Sequence, residues 1–136
     1  MPSFLKACEA RGFVVGEPYK KGWMDHIRDM PLLKVQLPRG QRLVSVDVSP
    51  LSTPFQESAF GRLVAVEAPN LGPSILVITP ADLILFKLMA DRPKDRLDVL
   101  NTLTIQGIPE GDYLRDWAVR LGVEDRLDRA LAEAGL

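Results

Sequence analysis

The sequence has few of the residues on which most catalytic sites and covalent cross-links depend. Its 136 residues include one cysteine, Cys8, and one histidine, His26. A single cysteine cannot form a disulfide within the chain, and no cysteine and histidine spacing matches a zinc site. His26 has no nucleophile beside it in the sequence, so a catalytic triad has little support. We therefore expect Cys8 to lie on the apolar side of a first helix and His26 to lie in a loop.

Long apolar runs are also missing. The longest apolar stretch, within residues 75–90, is interrupted by Pro80, Asp82 and Lys87, whereas a membrane-spanning helix needs about 20 mainly apolar residues. The first residues do not have the basic and then apolar pattern of a signal peptide. Together with the single cysteine, these absences favour a cytoplasmic protein without a membrane span.

Neither sign of charge dominates the chain. The formal net charge is −1 and the isoelectric point is near 5.8, so no uniform attraction to nucleic acid is expected. Residues 1–50 hold eight Lys or Arg against five acidic residues, whereas residues 51–136 hold nine against thirteen. The basic first third could meet a phosphate-bearing ligand, or its charges could simply be solvated. The chain has no glycine-rich phosphate loop of P-loop or dinucleotide-binding spacing.

The first part of the chain is rich in β-strand signals. Two runs, residues 32–37 and 42–48, flank the turn Pro38-Arg39-Gly40-Gln41 and predict a hairpin with one buried face and Asp47 on the other. The other elements predicted here are helices over residues 4–11 and 53–62, strands over residues 13–15, 63–67 and 74–78, and a turn over residues 69–73.

The second part of the chain has helical spacing. Thr79-Pro80-Ala81-Asp82 is typical of a helix start, with a capping residue, a proline at the first helical position and an acidic residue three after the cap. The pattern predicts helices over residues 81–90, 94–103, 113–121 and 124–134. Strands first and helices last indicate one α+β domain over residues 1–136, strand-rich over 1–78 and helical over 79–136, in which a small mixed sheet packs with helices.

Asp47 is the first carboxylate that could carry chemistry. It lies near the end of a run of apolar and small residues on a predicted strand, where an acidic side chain is disfavoured unless it faces solvent, a metal or a partner. Asp47 is therefore a candidate metal ligand. The alternative is an exposed polar position on the open face of an antiparallel strand.

Lys87 lies inside an otherwise apolar helix, before alternating charges at residues 91–98. A lysine in that position buries its stem and extends its ammonium to a carboxylate or a phosphate. In the structural alternative, Lys87 pairs with Asp91, Asp95 occupies the first turn of the next helix, and the charges hold the two helices together. The sequence leaves both interpretations open.

Residues 78–95, ITPADLILFKLMADRPKD, followed by Asp98, resemble a family of small nucleotidyltransferase-fold proteins. That family is related to minimal nucleotidyltransferases and to the nucleotidyltransferase-like partners of toxin–antitoxin systems. The similarity extends over about residues 4–131, and the segments that carry the rest of it are Val46-Asp47, Pro54-Phe55, Arg62, Asp112-Tyr113-Leu114, Trp117 and Leu121-Gly122.

The resemblance implies a mixed sheet whose carboxylates hold divalent metal, usually Mg²⁺, and the phosphates of a nucleoside triphosphate, as suits two-metal transfer. Asp47 matches the third metal-binding carboxylate of the family. Lys87 and Asp95 match its later basic and acidic positions, which would neutralise phosphate or support the site. Independently of the metal site, Arg92 and Lys94, together with Lys87, could bind a triphosphate weakly, because phosphate attraction does not require the full set of metal ligands.

The chain departs from the family in one motif. A Gly-Gly or Gly-Ser element followed by Asp-x-Asp should precede the first helix, and neither appears in this sequence. A lone third carboxylate binds Mg²⁺ weakly, because the ion needs several oxygen ligands. We therefore expect a truncated or degenerate member that is inactive alone. The alternatives are an enzyme fragment and a non-catalytic module that binds a protein partner, either a toxin-like protein or a second copy.

Overall fold

The computed structural model describes residues 1–70, 72 and 74–136, which form two compact units, Met1–Thr53 and Pro54–Leu136. Each unit combines helices with a small antiparallel sheet, so the predicted α+β class is confirmed. The single-domain organisation stays a prediction. Within the described ranges, no helix is long and apolar enough to cross a membrane.

A long strand, β3 (Met30–Arg39), is the centre of the first unit. The other elements of this unit are α1 (Pro2–Ala10), β1 (Val14–Val15), α2 (Glu17–Lys20), β2 (Asp25–Ile27) and β4 (Arg42–Val48), and all three of these strands pair antiparallel with β3. The hairpin of β3 and β4 confirms the predicted pairing. Gly40 has a φ of +58° in the turn between them, a conformation that glycine adopts without a steric cost.

The core of the first unit lies between α1 and the sheet. Its buried side chains are Leu5, Val15, Leu33 and Val35, with Cys8, Phe13, Tyr19 and Val48 packed against them. Cys8 thus lies on the apolar side of α1, as predicted.

Two expectations for the first unit were wrong. His26 lies on β2, paired with Pro31 of β3, and not in a loop. The hairpin was expected to bury one whole face, but residues 42–47 of β4 are all exposed. The core of this unit forms over β1 and β3, and β4 contributes only its last residue, Val48, to it.

The second unit begins with a helix and a short hairpin and continues as four helices. Its elements are α3 (Pro54–Gly61), β5 (Val64–Val66), β6 (Ile75–Val77), α4 (Pro80–Ala90), α5 (Pro93–Gln106), α6 (Gly111–Arg120) and α7 (Glu124–Ala134). β5 and β6 pair antiparallel, with Val64 opposite Val77. The turn predicted between them includes Leu71 and Pro73, which lie outside the described residues.

The helices of the second unit pack around a core of aromatic and branched side chains. The ring of Phe55 lies 4.7 Å from that of Phe86 and 5.2 Å from that of Trp117, between centroids. The largest fully buried aliphatic side chains of this core are Ile84, Leu85, Leu103, Leu114 and Leu127. The Thr79 side chain accepts a hydrogen bond from the Asp82 backbone N–H, which confirms the helix start predicted there.

Candidate functional site

Four charged residues meet where α4 ends and α5 begins. They are Lys87, Arg92, Asp95 and Asp98, and together they form the Lys87 cluster. Asp91 ends α4 in the left-handed conformation, with a φ of 51°, and Pro93 then begins α5. Asp95 and Asp98 lie three residues apart on α5, and the same lysine reaches both of them.

Lys87 and Arg92 hold the buried carboxylate of Asp95 from two sides. The Lys87 ammonium lies 3.1 Å from Oδ1 of Asp95 and 2.7 Å from Oδ2 of Asp98. Arg92 donates from Nε to Oδ2 of Asp95 and from its terminal nitrogen to Oδ1, so the contact is bidentate. Its backbone N–H also donates to Oδ2 of Asp95 at 3.3 Å. The carboxylate of Asp95 is thereby fully engaged inside the protein.

The electrostatics of the cluster follow from these contacts. The hydrogen bonds from Arg92 and then from Lys87 lower the pKa of Asp95 to about 2, against the opposing effect of burial. The hydrogen bond to Asp98, together with that to Asp95, raises the pKa of Lys87 above its usual value. Both groups are therefore charged at neutral pH, and their charges offset each other.

One predicted pair in this region was wrong. Lys87 contacts Asp95 and Asp98, whereas Asp91 pairs with Arg96 and with Arg126 of α7. The reason is the left-handed conformation of Asp91, which takes its carboxylate out of the helical path that an i, i+4 pair requires. The broader structural interpretation, in which the charges hold two helices together, describes the observed contacts.

The remaining predicted site residues lie outside this cluster. Asp47 is in the first unit, where its side chain is 59% exposed and lies 3.9 Å from the ammonium of Lys34, its partner across the hairpin. Lys94 is exposed on the first turn of α5.

The described side chains do not form a Mg²⁺ site. Throughout residues 1–70, 72 and 74–136, no three His, Cys, Asp or Glu side chains are grouped so that they could hold a metal ion. The charged group that Asp47 pairs with is the cation Lys34. Since Mg²⁺ needs several oxygen ligands, these residues do not fit the metal that the family resemblance implies.

A second polar cluster was missed by the sequence analysis. The Arg62 cluster comprises Arg62, Thr79, Asp82, Glu110 and Tyr113. Asp82 is completely buried and accepts hydrogen bonds from Nε of Arg62 at 3.1 Å, the Thr79 hydroxyl at 2.6 Å and the Tyr113 hydroxyl at 2.6 Å. Its buried charge is thereby paired and hydrogen-bonded, as a buried carboxylate requires.

Arg62 completes the second cluster by contacting several elements at once. Its guanidinium carbon lies 3.8 Å from the centre of the Tyr113 ring, and a terminal nitrogen donates to Glu110. Burial, and then the hydrogen bond to Asp82, raises the pKa of Tyr113, whereas the hydrogen bond to Glu110 raises that of Arg62. The only local signal for this cluster was the capping sequence from Thr79 to Asp82, which by itself predicts an exposed acidic residue.

Both clusters satisfy the charge of a buried carboxylate. Each buried carboxylate is held by cations and hydroxyl groups of its own unit, and every buried side-chain polar atom in the described part of the chain has a hydrogen-bond partner. The only histidine, His26, is exposed on β2 of the other unit.

Comparisons with protein families, with curated proteins and with solved structures gave no match to this chain. Its function must therefore be inferred from its own residues and their geometry.

Proposed function

We propose that this chain is a nucleotidyltransferase-like protein that acts by binding a protein partner and that transfers no nucleotide by itself. The proposal rests on the contacts and burial of Lys87 and Asp95, the two residues that by the family resemblance would neutralise phosphate or support the site. Lys87 and Asp95 contact each other, and Asp95 is fully buried. A lysine held by two carboxylates has little positive charge to offer a triphosphate, and a buried aspartate cannot reach one.

The edge strand of the first unit supports a protein partner. β4 pairs with β3 along one side, and Leu43, Val44 and Val46 on it are 56%, 47% and 40% exposed. An exposed, apolar edge strand is a template on which an extended segment of another chain adds a strand. The expected partner is a toxin-like protein or a second copy of this chain. The cytoplasmic location of this chain remains a proposal that rests on the sequence alone.

One observation favours an alternative, an enzyme whose missing carboxylates come from a second chain. Asp47 matches the third metal ligand of the family and its side chain is accessible. In this alternative the chain would bind Mg²⁺ and a nucleoside triphosphate only as part of an assembly.

A transfer assay separates the two functions. The purified chain and Asp47→Ala are incubated with labelled ATP, GTP, CTP or UTP and Mg²⁺ or Mn²⁺, with RNA and candidate proteins as acceptors. We expect no label transfer from either protein, because without the paired carboxylates the several kcal/mol that metal ions contribute is lost, a rate factor of about a hundred to a thousand. Transfer that Asp47→Ala abolishes would establish the alternative, and transfer that survives it would show that the site lies elsewhere.

The partner surface is tested by a matched pair of substitutions. Self-association is measured by sedimentation, and binding of a candidate toxin-like protein by titration. Val44→Lys on β4 should weaken the interaction, because it places a charge on the edge strand. Val119→Lys, on α6 and 54% exposed against 47% for Val44, should leave the interaction unchanged. Equal effects of the two substitutions would contradict the assignment to β4.

A further inference from the structure

A small cleft in the second unit lies between the end of α4, α5 and α7. It encloses about 70 Å³, and three of the residues that line it are arginines, Arg96, Arg126 and Arg129. The volume is several times the roughly 10–15 Å³ that a single water requires. The cleft is therefore large enough for a small polyatomic ion.

Each arginine is fixed by one part of its guanidinium. Arg96 donates from Nε to Asp91 at 2.7 Å, and Arg129 donates from Nε to the Asp125 carbonyl at 3.3 Å. Arg126 lies with Nε 3.3 Å from Asp91 and donates from one terminal nitrogen to the Leu88 carbonyl at 2.7 Å. These contacts hold three positive groups at the lining of one cleft.

The other ends of these guanidiniums remain available. Among the described residues, both terminal nitrogens of Arg96 and of Arg129, and one of Arg126, have no hydrogen-bond partner. Asp91 is already engaged by Arg96 and Arg126, and the hydrogen bond from Arg96 lowers the pKa of Asp91. Because the carboxylate of Asp91 is already paired with two arginines, the guanidinium nitrogens without a partner can donate to an external acceptor.

The number and geometry of the donors select the chemistry of that acceptor. The planar fork of an arginine binds oxyanions with two parallel hydrogen bonds, which favours carboxylate and phosphate over halide. A carboxylate has two oxygens, whereas a phosphate group presents three or four, enough for donors that come from two helices. Three arginines against the two carboxylates of the cleft, Asp91 and Glu133, leave an excess of positive charge.

We propose that this cleft binds a phosphate group, either as inorganic phosphate or as the phosphomonoester of a larger ligand. The site uses none of the residues of the Lys87 cluster and does not depend on the proposed function. Glu133, which also lines the cleft, opposes an anion and limits the affinity. Binding is therefore expected to be weaker at high salt, because the arginines are partly exposed and screened.

The test is a titration of the isotopically labelled chain with inorganic phosphate and, separately, with adenosine monophosphate, followed by amide chemical shifts. We expect saturable shifts at the residues of α5 and α7 that line the cleft. Arg129→Gln should weaken binding by about fivefold to tenfold, as for the loss of one charge-assisted hydrogen bond at a partly exposed site. Its only described hydrogen bond is to a surface carbonyl, so the fold should persist.

Arg120→Gln is the matched control, since it removes one exposed positive charge from α6 outside the cleft. It should leave the dissociation constant within about twofold of the unmodified chain. Shifts with both ligands would indicate that the phosphate group is sufficient for binding, and shifts with the monophosphate only would indicate that the site requires a phosphomonoester. The proposal is overturned if neither ligand gives saturable shifts, if Arg129→Gln has no effect, or if Arg120→Gln weakens binding equally.

Discussion

Asp82 and Asp95 occupy the same position in two successive helices but are held in different ways. Each is the third residue of a helix that begins with proline, and each is 0% exposed. The partners of Asp95 are Arg92, three residues away, and Lys87, eight residues away. The partners of Asp82 include Arg62 and Tyr113, which are 20 and 31 residues away. The same local signal thus produces a local contact in one helix and a tie between distant elements in the other.

Asp82→Ala is expected to lower the free energy of unfolding by the largest amount. The substitution leaves the half-buried Arg62 with only Glu110 as an anionic partner and removes the acceptor of the Tyr113 hydroxyl. Breaking a buried pair from one side costs about 3–5 kcal/mol, and we expect about 3 here because Arg62 is partly exposed. The measurement is the free energy of unfolding in urea.

Asp112→Ala is the control for this comparison, since Asp112 is an exposed acidic residue in the first turn of α6. It should change the free energy of unfolding by about 0.5 kcal/mol or less. A loss for Asp82→Ala no larger than this control would show that the Arg62 cluster does not stabilise the fold.

Asp95→Ala should cost less, about 2 kcal/mol, as expected when a buried acceptor of charged hydrogen bonds is removed. Lys87 retains Asp98, and Arg92, whose side chain is 61% exposed, can turn to solvent. The measurement is again urea unfolding. A loss that equals or exceeds that of Asp82→Ala would contradict the distinction between a local and a long-range contact.

The pH dependence of stability isolates the charge of Asp95. Its folded-state pKa of about 2 lies below the ordinary value of 3.8. Its charge therefore stabilises the fold fully above about pH 4, and this contribution is lost as the pH falls toward 2. We expect the difference in unfolding temperature between the unmodified chain and Asp95→Asn to narrow through that window. A difference that stays constant from neutral pH to pH 2 would mean that the charge contributes nothing.

Asp47→Ala is expected to change the free energy of unfolding by the smallest amount. Asp47 is exposed, whereas the carboxylates of Asp82 and Asp95 are buried. Its contact with Lys34 is 3.9 Å long and both side chains are about half exposed. An exposed pair of this kind contributes about 0.5 kcal/mol or less. A double-mutant cycle with Lys34→Ala measures the coupling directly, and a coupling well above 1 kcal/mol would indicate a structural role that its exposure does not suggest.

The sequence predicted those parts of the fold that depend on neighbouring residues. The start of α4 at Thr79-Pro80 and the whole of α7 follow from capping and helical spacing, and both were placed correctly. The pairing of β3 with β4 follows from two strand-like runs around a turn that contains Gly40. Each of these signals lies within a few residues of the structure that it determines.

The contacts that the sequence could not predict depend on which elements come together. The burial of Asp82 depends on Arg62 and Tyr113, whose distances along the chain carry no periodic signal. The partners of Lys87 depend on the left-handed conformation of Asp91, which non-glycine residues adopt uncommonly. The exposure of β4 depends on what the core of the first unit covers. The sequence therefore predicted which residues belong to the candidate site, but it did not predict which of them contact one another.

The hydrogen bonds of Arg126 have a consequence for the order of folding. A helix leaves its last carbonyl groups without partners, and here Arg126 of α7 donates to two of them, those of Leu88 and Met89, across 38 and 37 residues of chain. The final turn of α4 therefore lacks these two donors until α7 has docked. During synthesis, the first long helix of this unit would complete its carboxyl end only after the last helix had been made, which makes the unit more cooperative than its short-range contacts suggest.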